Sequence, residues 1–364
     1  MKKKPVYIAA TGQHAGKTTV ALGLLHAFRL SGLATSFMKP VGQRYMEVDG
    51  NKVDEDAVLV NNTFKPGSSL VDMSPVAIPR GFTESYIRSR NRDELHRQIM
   101  SAYEHLSAHA DAIVVEGTGH AGVGSVFDTS NADVAAMLGA PVIIISEGGV
   151  GRPIDEICLN RALFTQKGVS ILGVVLNKVL AEKYDRVCVT ARMGLEALGL
   201  RMLGAIPFEP KLTFPTVKQI AHELNARILA GEEHLSNVVE NTVIAAMEPQ
   251  NVIAYLQERT LVITPGDRID NILVAISSHL ISGGTEPHIS GILLTGGLVP
   301  HFTIISLLKR SQIPVLLCDE QTMAVSTHVT DMVFKINPDD TEKIAEVQAL
   351  VAKHLDLPYI LDAL

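Results

Sequence analysis

The sequence predicts an α/β protein in which a mainly parallel-sheet domain precedes a smaller α/β domain. Three observations carry that reading. Short apolar runs rich in valine and isoleucine alternate with stretches of helical spacing, which is the signature of strands crossing over through helices. Polar residues stand at the carboxyl ends of those runs, where open parallel sheets bind ligands. The first run, Val6–Ala10, breaks into Thr11-Gly12-Gln13-His14-Ala15-Gly16 and then Lys17-Thr18-Thr19.

Taken in order, Val6–Ala10 is a strand, and 20–30, Val-Ala-Leu-Gly-Leu-Leu-His-Ala-Phe-Arg-Leu, is the helix behind the loop. A strand feeding a small-residue loop at a helix start presents backbone N–H groups and a lysine ammonium to phosphate oxygens, with a threonine hydroxyl in reach of magnesium. The strict phosphate-loop pattern has glycine where this chain has Thr11. Further strands are expected at 34–37, 112–116, 141–146 and 171–177. Lys39 follows the second run, Glu116 closes the third, Glu147 follows the fourth and Asn177 closes the fifth. These ends converge on one edge with the Gly12–Thr18 loop.

The texture changes at Pro207-Phe-Glu-Pro, and a polar, helix-compatible stretch runs to about Arg259. Strands are then expected at 260–264, 289–294, 314–317 and 332–336, with a helix over 269–282 and a last helix from Thr341, after the Asn337-Pro-Asp-Asp turn. The domains are placed at 1–208 and 209–364.

Length and composition agree. The 364 residues, 46% hydrophobic, supply cores for about two domains. A net charge of −7 gives no electrostatic footprint for nucleic acid or a membrane surface, so neither is an expected partner. The basic Met1-Lys-Lys-Lys start lacks the apolar core of a signal peptide, and a cytoplasmic location is expected. Cys158, Cys188 and Cys318 make no CxxC pair, so buried free thiols are expected rather than disulfides or zinc.

Six segments together resemble the dethiobiotin synthetase-like P-loop NTPase family, and most closely the N-terminal region of long bacterial phosphate acetyltransferases. They are Ala10-Thr-Gly-Gln-His-Ala-Gly-Lys-Thr-Thr, Phe37-Met-Lys-Pro-Val-Gly-Gln, Asp54-Glu-Asp-Ala, Val114-Val-Glu-Gly-Thr-Gly, Gly173-Val-Val-Leu-Asn-Lys and Gly204-Ala-Ile-Pro. Gly266-Asp267-Arg268 and Leu294-Thr295-Gly296-Gly297 resemble the DRTGG domain, which implies a regulatory module. The glycines there permit close backbone approach, so these ends could frame an anion- or nucleotide-sized pocket or simply a turn with an ion pair.

On the residues themselves, Lys17 neutralises β- and γ-phosphate charge while the Gly12, Gln13, His14, Ala15, Gly16, Thr18 and Thr19 segment cradles the rest. Thr18, Asp56 and Glu116 form an oxygen set suited to Mg2+. The resemblance assigns Asp56 and Glu116 this metal role, Lys39 a catalytic place beside the γ-phosphate, Asn177 the adenine amide edge and the segment around Pro207 closure over the base. Lys17 and Lys39 are thus the candidate catalytic residues, and ATP with Mg2+ the expected cofactors. ATP is preferred to GTP because the Asn177-Lys178 pair lacks the aspartate that guanine selection uses. His120 is a candidate proton carrier or a loop histidine, and Arg152 a phosphate-state sensor or an exposed arginine at a helix start.

The chain departs from dethiobiotin synthetases at Gly12-Gln13-His14 and at Gly42-Gln43-Arg44, where substrate-specific residues would stand. The expected function is therefore an ATP- and magnesium-binding regulatory or metabolic-sensing protein. The alternative is an ATP-dependent ligase that activates a carboxylate or carbamate for a small acid or amine partner, and a scaffold with a decayed site is a third reading. Cys318 lacks the glycine-rich elbow of a glutaminase, so glutamine-dependent amidation is not expected. Acetyl transfer is not expected of this chain alone. The family implies a homodimer.

Overall fold

The computed structural model describes residues 5–282, 289–332 and 334–364. The chain divides into two compact units, one of residues up to 209 together with 336–364, the other of residues 210–335.

The first unit is built on six parallel strands: β1 (Val6–Ala10), β2 (Thr35–Met38), β3 (Ala112–Glu116), β4 (Val142–Glu147), β5 (Ile171–Val179) and β6 (Met202–Pro207). Their order across the sheet is β6-β5-β4-β1-β3-β2, so the chain reverses its direction of winding beside β1. That places the loop after β1 at the switch point, between the carboxyl ends of β4 and β3. β1, β2 and β3 are buried throughout, as a sheet covered on both faces requires. Helix α1 (Lys17–Leu30) covers one face with fully buried Leu22, Leu24 and Phe28.

The acidic stretch before Asp56 forms a β-hairpin, Tyr45–Val48 with Asn51–Asp54, around an Asp49-Gly50 turn whose φ angles are 50° and 76°. Two consecutive left-handed residues are what a two-residue hairpin needs to match strand twist. The hairpin runs into α2 (Glu55–Phe64), whose first turn is capped by the Asp54 side chain accepting from the Asp56 N–H.

Residues 336–364 belong to the first unit, not to the second domain as the sequence reading placed them. Helix α3 (Thr341–His354) packs on α1, with Val351 so close over Gly23 that a Cβ there would lie 2.2 Å from the valine. Asp356 accepts from Arg201 at 2.8 Å, its N–H donates to Leu203 O, and Tyr184 reaches both Ala205 O and His354. The missing side chain at Gly23 and this polar seam are features of pairing, which an end-of-chain helix pattern does not announce.

The second unit holds a five-stranded mixed sheet. Its strands are β7 (Arg227–Ala230), β8 (Asn241–Ile244), β9 (Thr260–Pro265), β10 (Ile289–Thr295) and β11 (Val315–Leu317), in the order β7-β11-β10-β9-β8, with β7 antiparallel. Two apolar clusters cover its faces, one containing Ile272 and Ile276 of the helix Ile269–Ser282, the other Val217, Ile220 and Val325.

Two expectations change here. β7 and β8 lie in the stretch read as polar and helix-compatible; both are short edge strands with partly exposed residues, which dilutes their apolar signal. The strand expected over 332–336 is not formed by its described residues; Val333 lies outside them. Met332 and Phe334 are apolar because they pack on the Val217 cluster.

Candidate functional site

The first-unit site is assembled at the carboxyl ends of β1 to β5 and the start of α2. After β1 the chain turns through His14 and Gly16 in left-handed conformations, φ 57° and 100°, before α1 begins at Lys17. Gln13 and His14 are exposed, Gly12, Gly16, Thr18 and Thr19 half-buried, and Ala15 and Lys17 buried. Lys17 Nζ donates back to the Gly12 carbonyl at 3.3 Å. Thr11, in the place of a glycine, is used as a side chain: its hydroxyl pairs with that of Ser146 on β4 at 3.1 Å.

Thr18, Lys39, Asp56 and Glu116 are brought together. Thr18 Oγ1 donates to Glu116 Oε1 at 3.0 Å and lies 3.5 Å from Asp56 Oδ1. Lys39 Nζ donates to Asp56 Oδ2 at 2.7 Å, to Glu116 Oε1 at 2.8 Å and to Gly117 O at 3.3 Å. All but Thr18 are buried: Lys39 is 5% exposed, Asp56 3% and Glu116 1%. Each arrives by a local device. Lys39 and Glu116 ride on the ends of adjacent strands β2 and β3, and Asp56 is fixed in the first turn of α2 by the Asp54 cap.

The electrostatics follow from that burial. Burial opposes the Lys39 ammonium, but Asp56, Glu116 and Asp54 outweigh it and hold its pKa above the ordinary lysine range. Burial raises the Glu116 carboxyl above its usual value; Lys39 opposes that shift and Asp56 adds to it. Glu116 Oε2 is buried without a hydrogen-bond partner among the described residues. A carboxylate oxygen left bare beside a threonine hydroxyl and a second carboxylate is the donor set of a hard divalent cation. These residues fit Mg2+.

Asn177 is placed against the same loop, where its Nδ2 donates to Ala15 O at 2.9 Å. Pro207 ends β6 beside Val179. His120 is exposed and its Nδ1 accepts from the Gly122 N–H at 3.2 Å. Arg152 is exposed at the start of its helix and pairs with Glu156 at 2.6 Å.

Three contributors were not among the candidate site residues, Asp54 having entered only as the start of the Asp54-Glu-Asp-Ala segment. Tyr7 on β1 donates to Asn131 Oδ1 at 2.9 Å, Asn131 holds the loop after Glu116, and Asp54 caps α2. The Ser130-Asn-Ala-Asp133 capping box is a readable helix start that would have placed Asn131 beside that loop.

In the second unit, Asp267-Arg268 and Thr295-Gly296-Gly297 lie at neighbouring strand ends but are engaged structurally. Arg268 pairs with Asp270 at 2.9 Å and donates to the carbonyls of Ala246 and Met247. The Gly296 and Gly297 N–H groups donate to Glu320 O and Cys318 O. The turn and its ion pair are formed. Cys318 is buried, whereas Cys158 and Cys188 are only partly so, since both sit on helices with an outward face.

A family model described as an AAA domain matches residues 4–216, and a DRTGG domain model matches residues 219–332. Phosphate acetyltransferase of Nitratidesulfovibrio vulgaris is 29% identical over 360 residues, covering 96% of this chain and 50% of that protein. The chain spans about half the length of the curated relatives it matches. Among solved structures, the septum site-determining protein MinD of Pyrococcus horikoshii with Mg-ADP aligns with 58% of this chain and 83% of its own, at 16% identity and a TM-score of 0.38. The CBS and DRTGG domains of Clostridium perfringens pyrophosphatase, complexed with diadenosine tetraphosphate, align with 37% of this chain and 59% of theirs, at 22% identity and a TM-score of 0.27. Among the described residues, no helix is long and apolar enough to cross a membrane.

Proposed function

The chain belongs to the AAA domain family, whose model spans residues 4–216, and from that premise we propose that its first unit binds ATP with Mg2+ in a regulatory or metabolic-sensing role. The observation that carries the reading is the buried Glu116 Oε2, without a hydrogen-bond partner among the described residues, standing with Thr18 and Asp56 beside the Lys17 loop. Thr18, Asp56 and Glu116 would hold the metal; when bound, it would neutralise charge on the terminal phosphates. Lys17 and the 12–18 backbone would bind the polyphosphate, and Lys39 would keep the two carboxylates charged and oriented.

The regulatory role is supported by the pairing of this domain with a DRTGG domain and by similarity to phosphate acetyltransferases over about half their length. Gly12-Gln13-His14 and Gly42-Gln43-Arg44 depart from dethiobiotin synthetases, so a biotin-pathway substrate is not part of the proposal. A cytoplasmic homodimer is part of the same proposal.

The test is calorimetric titration with a non-hydrolysable ATP analogue and a GTP analogue, with Mg2+ and with EDTA. Saturable, magnesium-enhanced ATP binding that Lys17→Ala removes is expected. No binding of either nucleotide, with Lys17→Ala indistinguishable from wild type, would sink the reading. ATP turnover that depends on an added small acid or amine would instead favour a ligase.

A further inference from the structure

The loop that follows Glu116 is held from below by one buried amide. Asn131, 4% exposed, uses both ends of its side chain twice. Its Oδ1 accepts from Tyr7 Oη at 2.9 Å and from the Thr118 N–H at 3.1 Å, and its Nδ2 donates to Thr118 O and His120 O, both at 2.7 Å. An amide oxygen takes two donors and an amide nitrogen gives two, so this side chain is fully used. The fit is tight: a Cβ on Gly117 would stand 2.5 Å from Asn131 Oδ1.

The other side of the loop touches the charged cluster. Gly117 O accepts from Lys39 Nζ, and Thr118 Oγ1 donates to Val41 O at 2.7 Å, two residues beyond Lys39. Farther along, the Ala121 N–H donates to Asn160 Oδ1 at 2.7 Å, on the helix Arg152–Gln166. Loop 117–121 therefore lies between the Lys39–Glu116 pair and two helices that carry no member of the cluster.

We propose that Asn131 is a positioning residue that sets Glu116 and Lys39 through the backbone of Gly117 and Thr118, and so couples metal-dependent nucleotide binding to the conformation of loop 117–121. The inference rests on the proposed function and names its regulation: the loop is where the filled site is read by the rest of the unit.

The experiment titrates the full chain with the non-hydrolysable ATP analogue, in Mg2+ and in EDTA, and follows amide hydrogen exchange of 117–121. Asn131→Ala is expected to weaken Mg2+-dependent binding about tenfold or more, in line with lost outer-shell partners, while binding in EDTA stays within about twofold of wild type. Wild type is expected to show slowed exchange over 117–121 on Mg-nucleotide binding, and Asn131→Ala to lose that slowing. Tyr7→Phe, which removes one of the four bonds and keeps the ring, shifts both readouts the same way by less, and decides the matter if Asn131→Ala does not fold. Unchanged magnesium dependence in the variants overturns the proposal, as does an equal loss in Mg2+ and EDTA. Wild type without magnesium-enhanced binding overturns the proposed function first, a failure visible before any variant is compared.

Discussion

Asn177 Nδ2 donates to the carbonyl of Ala15 at 2.9 Å, a bond that joins the end of the fifth strand to the phosphate loop across 162 positions of sequence. The contact closes over Gly16, whose absent side chain makes room for it.

Gly16→Ala should therefore disable the loop. A Cβ there would lie 1.9 Å from Asn177 Nδ2, and φ is 100°, a conformation costing a non-glycine residue about 1–3 kcal/mol. A drop in melting temperature together with loss of nucleotide binding is expected; thermal melts and titration of one preparation check both.

Lys39→Met should leave Asp56 and Glu116 buried without their shared cation. Breaking a buried pair by removing one partner costs about 3–5 kcal/mol. Because a divalent ion can replace the lost charge and binds only the folded site, Mg2+ should restore part of the loss. Chemical denaturation of wild type and variant, each with and without Mg2+, gives the four values needed.

Glu116 should also mark the pH dependence. Its carboxyl is raised in the folded protein, chiefly by burial, so between the ordinary carboxylate value and the raised one the folded state binds more protons than the unfolded. Stability from this group then falls as pH rises through that window and stays reduced above it. Lys39, held above the ordinary lysine range, adds no slope near neutrality. Glu116→Gln should remove the penalty: its stability relative to wild type should grow between acidic and neutral pH, while magnesium-dependent nucleotide binding is lost. Denaturation midpoints across that range report the first effect.

Gly23→Ala probes the C-terminal helix. The new methyl would meet Val351 at 2.2–2.5 Å, an overpacking expected to cost about 1–3 kcal/mol. Removal of residues 336–364 should lower the stability of the first unit by exposing the α1 face that α3 covers. Calorimetric melts of the two forms against wild type would show both.

Much of this protein could be read before its structure. The short apolar runs at 6–10 and 112–116 are strands buried along their whole length, as a sheet covered on both faces requires. Lys39, Glu116 and Asn177 were legible as candidates because each ends or follows an apolar run with a polar group, and Lys17 because a small-residue loop precedes it.

What only tertiary structure decided is pairwise. That Lys39 bridges Asp56 and Glu116, that Asn177 bonds the Ala15 carbonyl of the loop, and that Asn131 uses its whole amide on one turn depend on strands distant in sequence becoming neighbours. The same holds for residues 336–364, whose docking is set by a bare glycine on α1, and for Arg268 and Gly296-Gly297, which donate to the carbonyls of Ala246, Met247, Glu320 and Cys318. Local sequence records the periodicity and charge of a segment. Which partner satisfies a buried polar group is settled by the register and packing of the whole sheet, because such a group is stable only where that partner arrives.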